Sequence, residues 1–260
     1  MSRYRFALHP KWIVSHVLVA LLVVGLCNLG VWQLRRLDDK RTNNDLVVAR
    51  LDEAEAPVST LLGAGDAESV VGGVEYRRVN ATGTYLRDDE VLVANRSRDG
   101  APGSWVLTPL DLGNGRAVVV NRGWISNTGG LDAVPSVARA PEGKVTVTGI
   151  VRPSETRGSI GPKDPTTGTL DMLARADIAR LDQQVGADLL PGWIQMTEQV
   201  PPRTVTDPKP VPRPSLDEGP HLSYAFQWFF FMTIALVGYP LILRRRAREI
   251  ELEALEGDGS

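Results

Sequence analysis

Residues 12–34 read WIVSHVLVALLVVGLCNLGVWQL, and this run contains no Asp, Glu, Lys or Arg. Its length matches the roughly 20 apolar residues with which an α-helix crosses a bilayer. A second apolar run, residues 221–243, reads HLSYAFQWFFFMTIALVGYPLIL and leads into the basic sequence RRRAR at residues 244–248. Two apolar ends around a polar middle therefore predict a membrane protein with two transmembrane helices.

The charges that flank the two runs predict their orientation. Basic residues beside a transmembrane helix favour the cytoplasmic side, and residues 244–248 form such a block. An even number of spans returns residues 1–11, which are basic and not acidic, to the same side. Basic residues also occur at 35–41, but acidic residues lie among them and they open a long loop, whose charges weigh less. We expect a multi-pass protein of the cell membrane with both termini cytoplasmic and residues 35–220 outside.

The basic N-terminal tail is also typical of a cleaved signal peptide. The apolar run is longer than the usual core of a signal peptide, and no small-x-small cleavage site precedes Arg35. We therefore favour a retained helix.

The composition excludes several kinds of functional site. The net charge of -2 gives no indication of a nucleic-acid partner, and the single cysteine, Cys27, can form neither an intrachain disulfide nor a cysteine metal site. His9, His16 and His221 all belong to the apolar ends, so the polar middle has no histidine-based triad or histidine metal site. The chain also lacks the sequence motifs of serine hydrolases, P-loop proteins, dinucleotide-binding enzymes and HExxH metalloproteases. Carboxylate, lysine or tyrosine chemistry is what remains open to the polar middle.

The polar middle predicts a mostly antiparallel β domain, either a sheet or a small barrel, with one inserted helix. Short β-branched runs alternate there with turn residues. They place strands at residues 76–86, 90–95, 105–112, 116–125, 145–151 and 193–200. Asp88-Asp89 and Gly113-Asn114-Gly115 lie where hairpin turns would join antiparallel neighbours. Apolar residues at helical spacing between 170 and 185 predict the inserted helix.

Two segments connect this β domain (residues 76–200) to the transmembrane helices. The connector, residues 35–75, is rich in charged residues, Gly and Ala, and has room for one short helix. Residues 201–220, PPRTVTDPKPVPRPSLDEGP, form a proline-rich strap, which we expect to be extended and stiff rather than packed.

Four segments, taken in order, resemble the Surfeit locus protein 1 family of cytochrome c oxidase assembly factors, in its bacterial form. They read GVWQLRRLDDK (residues 30–40), TGTYLRDDEVLVANR (82–96), GSWVLTPLDLGNGRAVVVNRGWI (103–125) and HLSYAFQWFFF (221–231). Together they extend over nearly the whole chain, and the predicted two-span topology is also that of the family. The linker after the first span and residues 161–171 show no family pattern.

The resemblance implies a protein that is not an enzyme but an assembly factor for a haem-copper cytochrome c oxidase. Such a factor binds haem a or assists its insertion into the haem-bearing catalytic subunit. The histidine that the family implicates in haem binding falls on His221, which is then the expected ligand of the haem iron. Oxidase subunits and the lipid bilayer are the expected partners. The alternative is a structural accessory protein that stays bound to a respiratory oxidase or supercomplex without handling haem.

The predicted cofactor site lies at the outer ends of both helices. Helical spacing puts His221, Tyr224 and Trp228 on one face, with a small residue, Ala225, that a flat ring could approach, and Gln227 flanks this face. Two arginines at the same depth on the first helix could pair with haem propionates. The predicted residues of the first helix are Trp32, Gln33, Arg35 and Arg36. From the residues alone, an aromatic interfacial belt with flanking charges explains the same pattern.

His16 lies inside the first span, where a histidine is a functional candidate by default. It is near the cytoplasmic end, where its ring could reach the membrane surface by snorkelling or form hydrogen bonds with a partner helix. A hydrocarbon core roughly 30 Å thick separates it from His221, so one monomer cannot place both rings on one iron.

A cluster of polar residues ends the buried strand at 116–125. We favour a structural role, in which Arg122 binds loop carbonyls and Trp124 packs on the sheet. The alternative is a surface that faces a partner protein. The residues concerned are Asn121, Arg122, Gly123 and Trp124, with Asn95 and Arg96 on the neighbouring strand.

The predicted orientation can be tested by cysteine labelling in intact cells. In a background with Cys27→Ala, Ser154→Cys should react with a membrane-impermeant thiol reagent, because residue 154 belongs to the extracytoplasmic region. Ser260→Cys should not react. The opposite labelling pattern would contradict the orientation.

Overall fold

The computed structural model describes residues 4–63, 72–127, 129–203 and 205–257. The chain forms two compact units. The helical unit combines the terminal segments Met1–Asp45 and Ser215–Ser260, and the β unit is Leu46–Pro214. The described α-helices are α1 (Pro10–Asp52), α2 (Val58–Leu62), α3 (Ile178–Asp182) and α4 (His221–Gly257).

Both α1 and α4 are long and apolar enough to cross a membrane. Only 11% of the most apolar segment of α1 and 0% of that of α4 are buried inside the protein. The core helix of a soluble protein is mostly buried. Large apolar side chains such as Leu21, Phe226 and Phe230 point out of the protein. Such exposure of apolar side chains is favourable only if lipid surrounds them. The prediction of two helices that associate with a membrane is therefore confirmed.

The β unit contains one eight-stranded sheet, which closes on itself. Its strands are β1 (Ala56–Pro57), β2 (Arg78–Tyr85), β3 (Val91–Val93), β4 (Gly103–Asp111), β5 (Arg116–Ser126), β6 (Lys144–Arg152), β7 (Met172–Leu173) and β8 (Asp188–Val200). Their order is β1-β2-β6-β8-β5-β4-β3-β7, and an additional pairing of β2 with β4 closes a barrel. Most neighbours are antiparallel, although β8 runs parallel to β5. The predicted antiparallel β domain between two apolar helices is confirmed.

The barrel closes where the end of β2 pairs with the end of β4, at Thr84–Asp111 and Tyr85–Leu110. Alternate residues of β2 are buried, as the period of a half-buried strand requires. Its inward side chains Val79, Ala81 and Tyr85 join Leu110 of β4 and Ile194 of β8 in one core cluster.

One of the two predicted hairpins is confirmed. Residues 113–115 join β4 to β5, which pair antiparallel along nearly their whole length. The hairpin at Asp88-Asp89 is wrong, because β2 and β3 do not pair with each other. A 3-10 turn, Arg87–Asp89, redirects the chain, and both strands pair with different halves of β4. The strand β4 thereby forms backbone hydrogen bonds with both β2 and β3.

The single helix predicted at 170–185 is also wrong in extent. Met172–Leu173 instead forms β7, parallel to β3, and only Ile178–Asp182 is helical. Asp177 caps this helix, since its carboxylate accepts a hydrogen bond from the backbone N–H of Arg180. The apolar residues behind the prediction do share one core cluster, but a strand and a short helix bring them there together.

The proline-rich strap (residues 201–220) is extended, but it does not stay unpacked. Lys209 exchanges two backbone hydrogen bonds of 2.7 Å with Trp124. Gln195 Nε2 donates to the carbonyl oxygen of Pro212 at 2.8 Å. Proline lacks a backbone N–H but keeps its carbonyl acceptor, so a proline-rich segment can still be bound by donors from a neighbouring strand.

Gly123 makes this close approach possible. Its φ of +142° lies in a region that favours glycine. A Cβ at this position would lie 2.4 Å from the carbonyl oxygen of Lys209. Asn121 supports the same bend, because its Oδ1 accepts a hydrogen bond from the backbone N–H of Gly123 at 3.1 Å.

Arg122 is buried inside the β unit, with 1% of its surface exposed. Its guanidinium donates to Glu90 Oε1 at 2.7 Å and to the carbonyl oxygens of Ala138 and Arg139 at 2.8 and 3.0 Å. The same Glu90 oxygen accepts from the backbone N–H of Ala140 at 2.9 Å. Burial lowers the pKa of Arg122, and the adjacent Glu90 carboxylate opposes that shift. The ion pair therefore fastens the segment before β6 to the barrel.

Trp124 and Arg96 also make contacts within the β unit. Trp124 Nε1 donates to the carbonyl oxygen of Arg96 at 2.5 Å. The Arg96 guanidinium lies 4.0 Å above the Trp105 ring and pairs with Glu155. Asn95 adopts a positive φ of 58° at the exposed turn after β3.

Arg122→Met should destabilise the β unit by about 3 kcal/mol, the lower end for a broken buried ion pair. Glu90 loses the cation 2.7 Å from its Oε1, while Arg139 Nε still lies 3.4 Å from its Oε2. Unfolding by guanidinium chloride, followed by tryptophan fluorescence, measures the change. Glu142→Gln is the control, since Glu142 pairs with Arg87 on the surface and is 84% exposed. That change should cost less than about 1 kcal/mol. Equal effects of the two substitutions would refute the structural role of the buried pair.

Candidate functional site

Within the helical unit, α1 and α4 present buried residues at the spacing of a helix–helix seam. On α1 the buried positions Leu26, Gly30, Gln33 and Leu37 recur at alternating steps of four and three. On α4, Ala225 is 2% exposed. This is the repeat with which two helices pack side by side.

The two helices approach each other closely at Gly30. A Cβ on this residue would lie 2.6 Å from the Phe229 ring, closer than van der Waals contact allows. A small residue at such a position lets two membrane helices approach each other. Gly30 therefore sets the depth at which α4 packs on α1.

This packing brings His221 to Gln33. The Nδ1 atom of His221 lies 2.8 Å from Gln33 Oε1. An amide oxygen only accepts hydrogen bonds, so in a neutral imidazole the hydrogen is on Nδ1 and the lone pair on Nε2. Within the described residues, Nε2 makes no hydrogen bond. One ring nitrogen is thus held by the protein, and the other is free to bind a ligand.

The residues before His221 are tied to α1. Arg41 donates through Nε and Nη2 to the two carboxylate oxygens of Glu218, at 2.9 and 3.0 Å. Asn44 Nδ2 donates to the carbonyl oxygen of Leu216 at 2.7 Å. These contacts fix the start of α4, and with it the backbone that carries His221.

Gly219 leaves space beside the free nitrogen. Its φ is +72°, and a Cβ on this residue would stand 3.6 Å from both Nε2 and Cδ2 of His221. Glycine therefore leaves open a position next to Nε2 that a side chain would occupy.

His16 is in a different situation, because both of its ring nitrogens are occupied. Nδ1 lies 2.6 Å from the hydroxyl oxygen of Tyr239, and Nε2 lies 3.1 Å from the carbonyl oxygen of Ala7. The Tyr239 hydroxyl is also 3.0 Å from Ser15 Oγ. The partner helix α4 thus supplies a hydrogen-bond partner for His16, which was one of the two alternatives from the sequence. With both nitrogens in hydrogen bonds, His16 has no free lone pair for a metal.

The other predicted cofactor residues lie around the His221 region with different exposure. Trp32 and Tyr224 are about half exposed, and Gln227, Arg35 and Arg36 are exposed. Ala225 is covered by the helix contact, so a flat ring has no access to it. The exposed residues beside His221, unlike Ala225, are accessible from outside the helix pair.

Trp228 adds an unexpected donor. Its Nε1 is buried, and no acceptor reaches it within the described part of the chain. Spacing along the sequence cannot show that the Nε1 atom of this partly exposed indole is covered.

These residues fit a single-histidine haem site. One imidazole nitrogen is free beside a glycine, and Arg35 and Arg36 carry exposed guanidinium groups of the kind that bind carboxylates bidentately. Across the described ranges there is no group of three or more metal-ligating side chains. The His221 imidazole would supply one nitrogen ligand to the iron of a haem.

Comparison with known proteins gives consistent matches. A family model described as the SURF1 family matches residues 20–233. A SURF1-like protein of Mycobacterium tuberculosis is 31% identical over 255 residues, which cover 96% of this chain and 91% of that protein. A SURF1-like protein of Rickettsia bellii is 24% identical over 231 residues, covering 88% and 89%. The Saccharomyces cerevisiae protein named cytochrome oxidase assembly protein SHY1 is 28% identical over 179 residues, covering 65% of this chain and 44% of that protein.

The glycine contact between α1 and α4 predicts a sharp difference between two glycines of α1. Gly30→Leu should destabilise the helix pair by about 1–3 kcal/mol through overpacking, measured by unfolding of the detergent-solubilised protein in sodium dodecyl sulfate. Gly25→Leu should have little effect, because no atom lies within 4 Å of a Cβ at Gly25.

Phe229→Ala should rescue Gly30→Leu in part, since it removes the ring that the leucine would strike. Equal stability of the Gly30→Leu and Gly25→Leu proteins would show that the contact at Gly30 is not close.

Proposed function

We propose that this chain, which belongs to the SURF1 family, is an assembly factor for a haem-copper cytochrome c oxidase. Its role would be to bind haem a, or to assist the insertion of haem a into the catalytic subunit. The membership extends from α1 to α4, and the yeast relative is named for cytochrome oxidase assembly. The chain would act by holding a cofactor, and not by catalysis.

The free Nε2 of His221 is the observation that carries this proposal. It stands on an imidazole whose other nitrogen is bound to Gln33, next to a glycine that leaves the ligand position open. An iron ligand needs a lone pair, a fixed orientation and access, and His221 combines the three.

The surrounding residues have defined roles in the proposal. Arg35 and Arg36 would bind the propionate carboxylates through their guanidinium forks. Trp32 and Tyr224 would cover the ring faces, and Trp228 would offer its buried N–H to an oxygen substituent. When bound, haem supplies an iron centre that accepts one nitrogen ligand from the protein.

The same exposed flank is the proposed contact with the oxidase. Phe226, Gln227 and Phe230 of α4 point away from α1. An exposed amide between two exposed phenylalanine rings would give a partner helix both apolar area and a hydrogen-bonding group. We assign this contact to the haem-bearing catalytic subunit, with both termini of the chain cytoplasmic and the β unit outside the cell membrane.

A deletion strain tests the function. Loss of the chain should lower the amount of assembled haem-copper oxidase and its haem content, while the oxidase genes are still transcribed. His221→Ala should fail to restore the oxidase, because no other described nitrogen at this end offers a lone pair. His16→Ala should restore it, because both nitrogens of His16 are already used within the helix pair.

The purified proteins separate haem handling from a purely structural role. The parent and His16→Ala should carry haem in their absorption spectra, and His221→Ala should carry much less per folded protein. If the parent protein carries no haem but still co-purifies with the oxidase, the accessory role replaces the proposal. Normal oxidase assembly in the deletion strain, with no second copy of the gene, would refute both.

A further inference from the structure

Gln33 occupies an unusual position for an amide. It is 8% exposed and lies on the buried seam of α1, among apolar neighbours at the α1–α4 contact. A buried primary amide is costly unless it is hydrogen-bonded, and His221 is the partner that Gln33 finds in the described chain. The two residues are 188 positions apart in sequence, so only the packing of α1 on α4 brings them together.

We propose that Gln33 is a positioning residue, which fixes the His221 imidazole in the Nδ1–H tautomer and thereby holds Nε2 as the ligand atom. The identity of the ligand as haem rests on the proposed function. The tautomer does not, because it is a property of the protein without any cofactor.

The direction of the hydrogen bond carries the argument. Gln33 presents Oε1 to Nδ1, and a carbonyl-type oxygen cannot donate. Metal-ligating histidines usually donate their second N–H to a carbonyl or carboxylate, which fixes the ring orientation and raises the basicity of the ligand nitrogen. Gln33 supplies the same kind of acceptor, from the opposite helix.

The space beside Nε2 supports the same assignment. Gly219 has no Cβ to fill the position 3.6 Å from Nε2. The contact between Arg41 and Glu218 holds the residue next to Gly219 on α1. The backbone before His221 is therefore fixed while the nitrogen itself stays open. His16 provides the contrast within one protein, since its Nε2 is closed by the carbonyl oxygen of Ala7.

The tautomer can be measured directly in the full-length protein without haem. Nitrogen-15 NMR of histidine-labelled protein in lipid nanodiscs distinguishes a protonated from an unprotonated ring nitrogen, and His221→Ala identifies the His221 signals. The parent should show a protonated Nδ1 and an unprotonated Nε2. Gln33→Leu should lose this single tautomer.

Asn28→Leu is the matched control. It also replaces an amide of α1 by leucine, but Asn28 is exposed and donates only to the carbonyl oxygen of Val24 on its own helix. The His221 signals should not change in this protein. Gln33→Glu should keep the Nδ1 hydrogen, because a carboxylate is also an acceptor.

Titration with haem a supplies the second readout. Gln33→Leu should bind haem a about 10–100-fold more weakly than the parent, as expected for loss of a partner that orients a ligand. Gln33→Glu should retain binding and lower the midpoint potential of the bound iron, since a carboxylate makes the imidazole a stronger donor. Asn28→Leu should match the parent in both measurements.

The outcomes are distinguishable. An Nε2–H tautomer in the parent, or a tautomer that Gln33→Leu leaves unchanged, overturns the positioning role. A parent that binds no haem a, but whose tautomer depends on Gln33, overturns the proposed function and the ligand role of Nε2. Haem binding by the parent with equal affinity and potential in all Gln33 variants overturns the inference and leaves the proposed function standing.

Discussion

A polar group inside an apolar medium must find its partner within the protein, and the helical unit depends on this constraint. His221 and Gln33 satisfy each other at one end of the helix pair, and His16, Tyr239 and Ser15 do so at the other. These contacts need a close approach of α1 and α4, which Gly30 permits. The close packing at Gly30 and the polar contacts therefore favour the same register of the two helices. A shifted register would lose both the packing and the hydrogen bonds.

Buried polar groups of the β unit must also find partners within the protein, and there they form an ion pair. Glu90 and Arg122 lie in a protein core, where an isolated charge would be very unfavourable. They are paired, and each also binds backbone groups of the segment before β6. Burial raises the pKa of the neighbouring Tyr85, whose hydroxyl donates to Gln199 Oε1 at 3.0 Å. Arg122, for which the sequence favoured a structural role, thus joins the segment before β6 to the barrel.

Much of the fold could be predicted from the sequence because it depends on local pattern. Two apolar runs without charge gave the helices, and β-branched runs between turn residues gave the main strands. The pairing of β3 with β4, the short strand β7 and the packing of residues 208–212 were missed, because each depends on contacts between distant residues. Alternating apolar residues near Leu173 fitted a helix as well as a strand followed by a turn. Local spacing cannot separate those two structures.

The site shows the same division between local and distant information. Sequence could place His221 and Gln33 at similar depth, but it could not show that they bond, since the register of two helices is a property of their packing. It also could not distinguish the two membrane histidines by chemistry. Their difference lies in what occupies the second nitrogen: an amide acceptor leaves His221 one free lone pair, whereas Tyr239 and a backbone carbonyl leave His16 none. Two identical side chains in one helix pair thus have opposite capacities, because binding needs an unpaired nitrogen and helix packing needs a paired one.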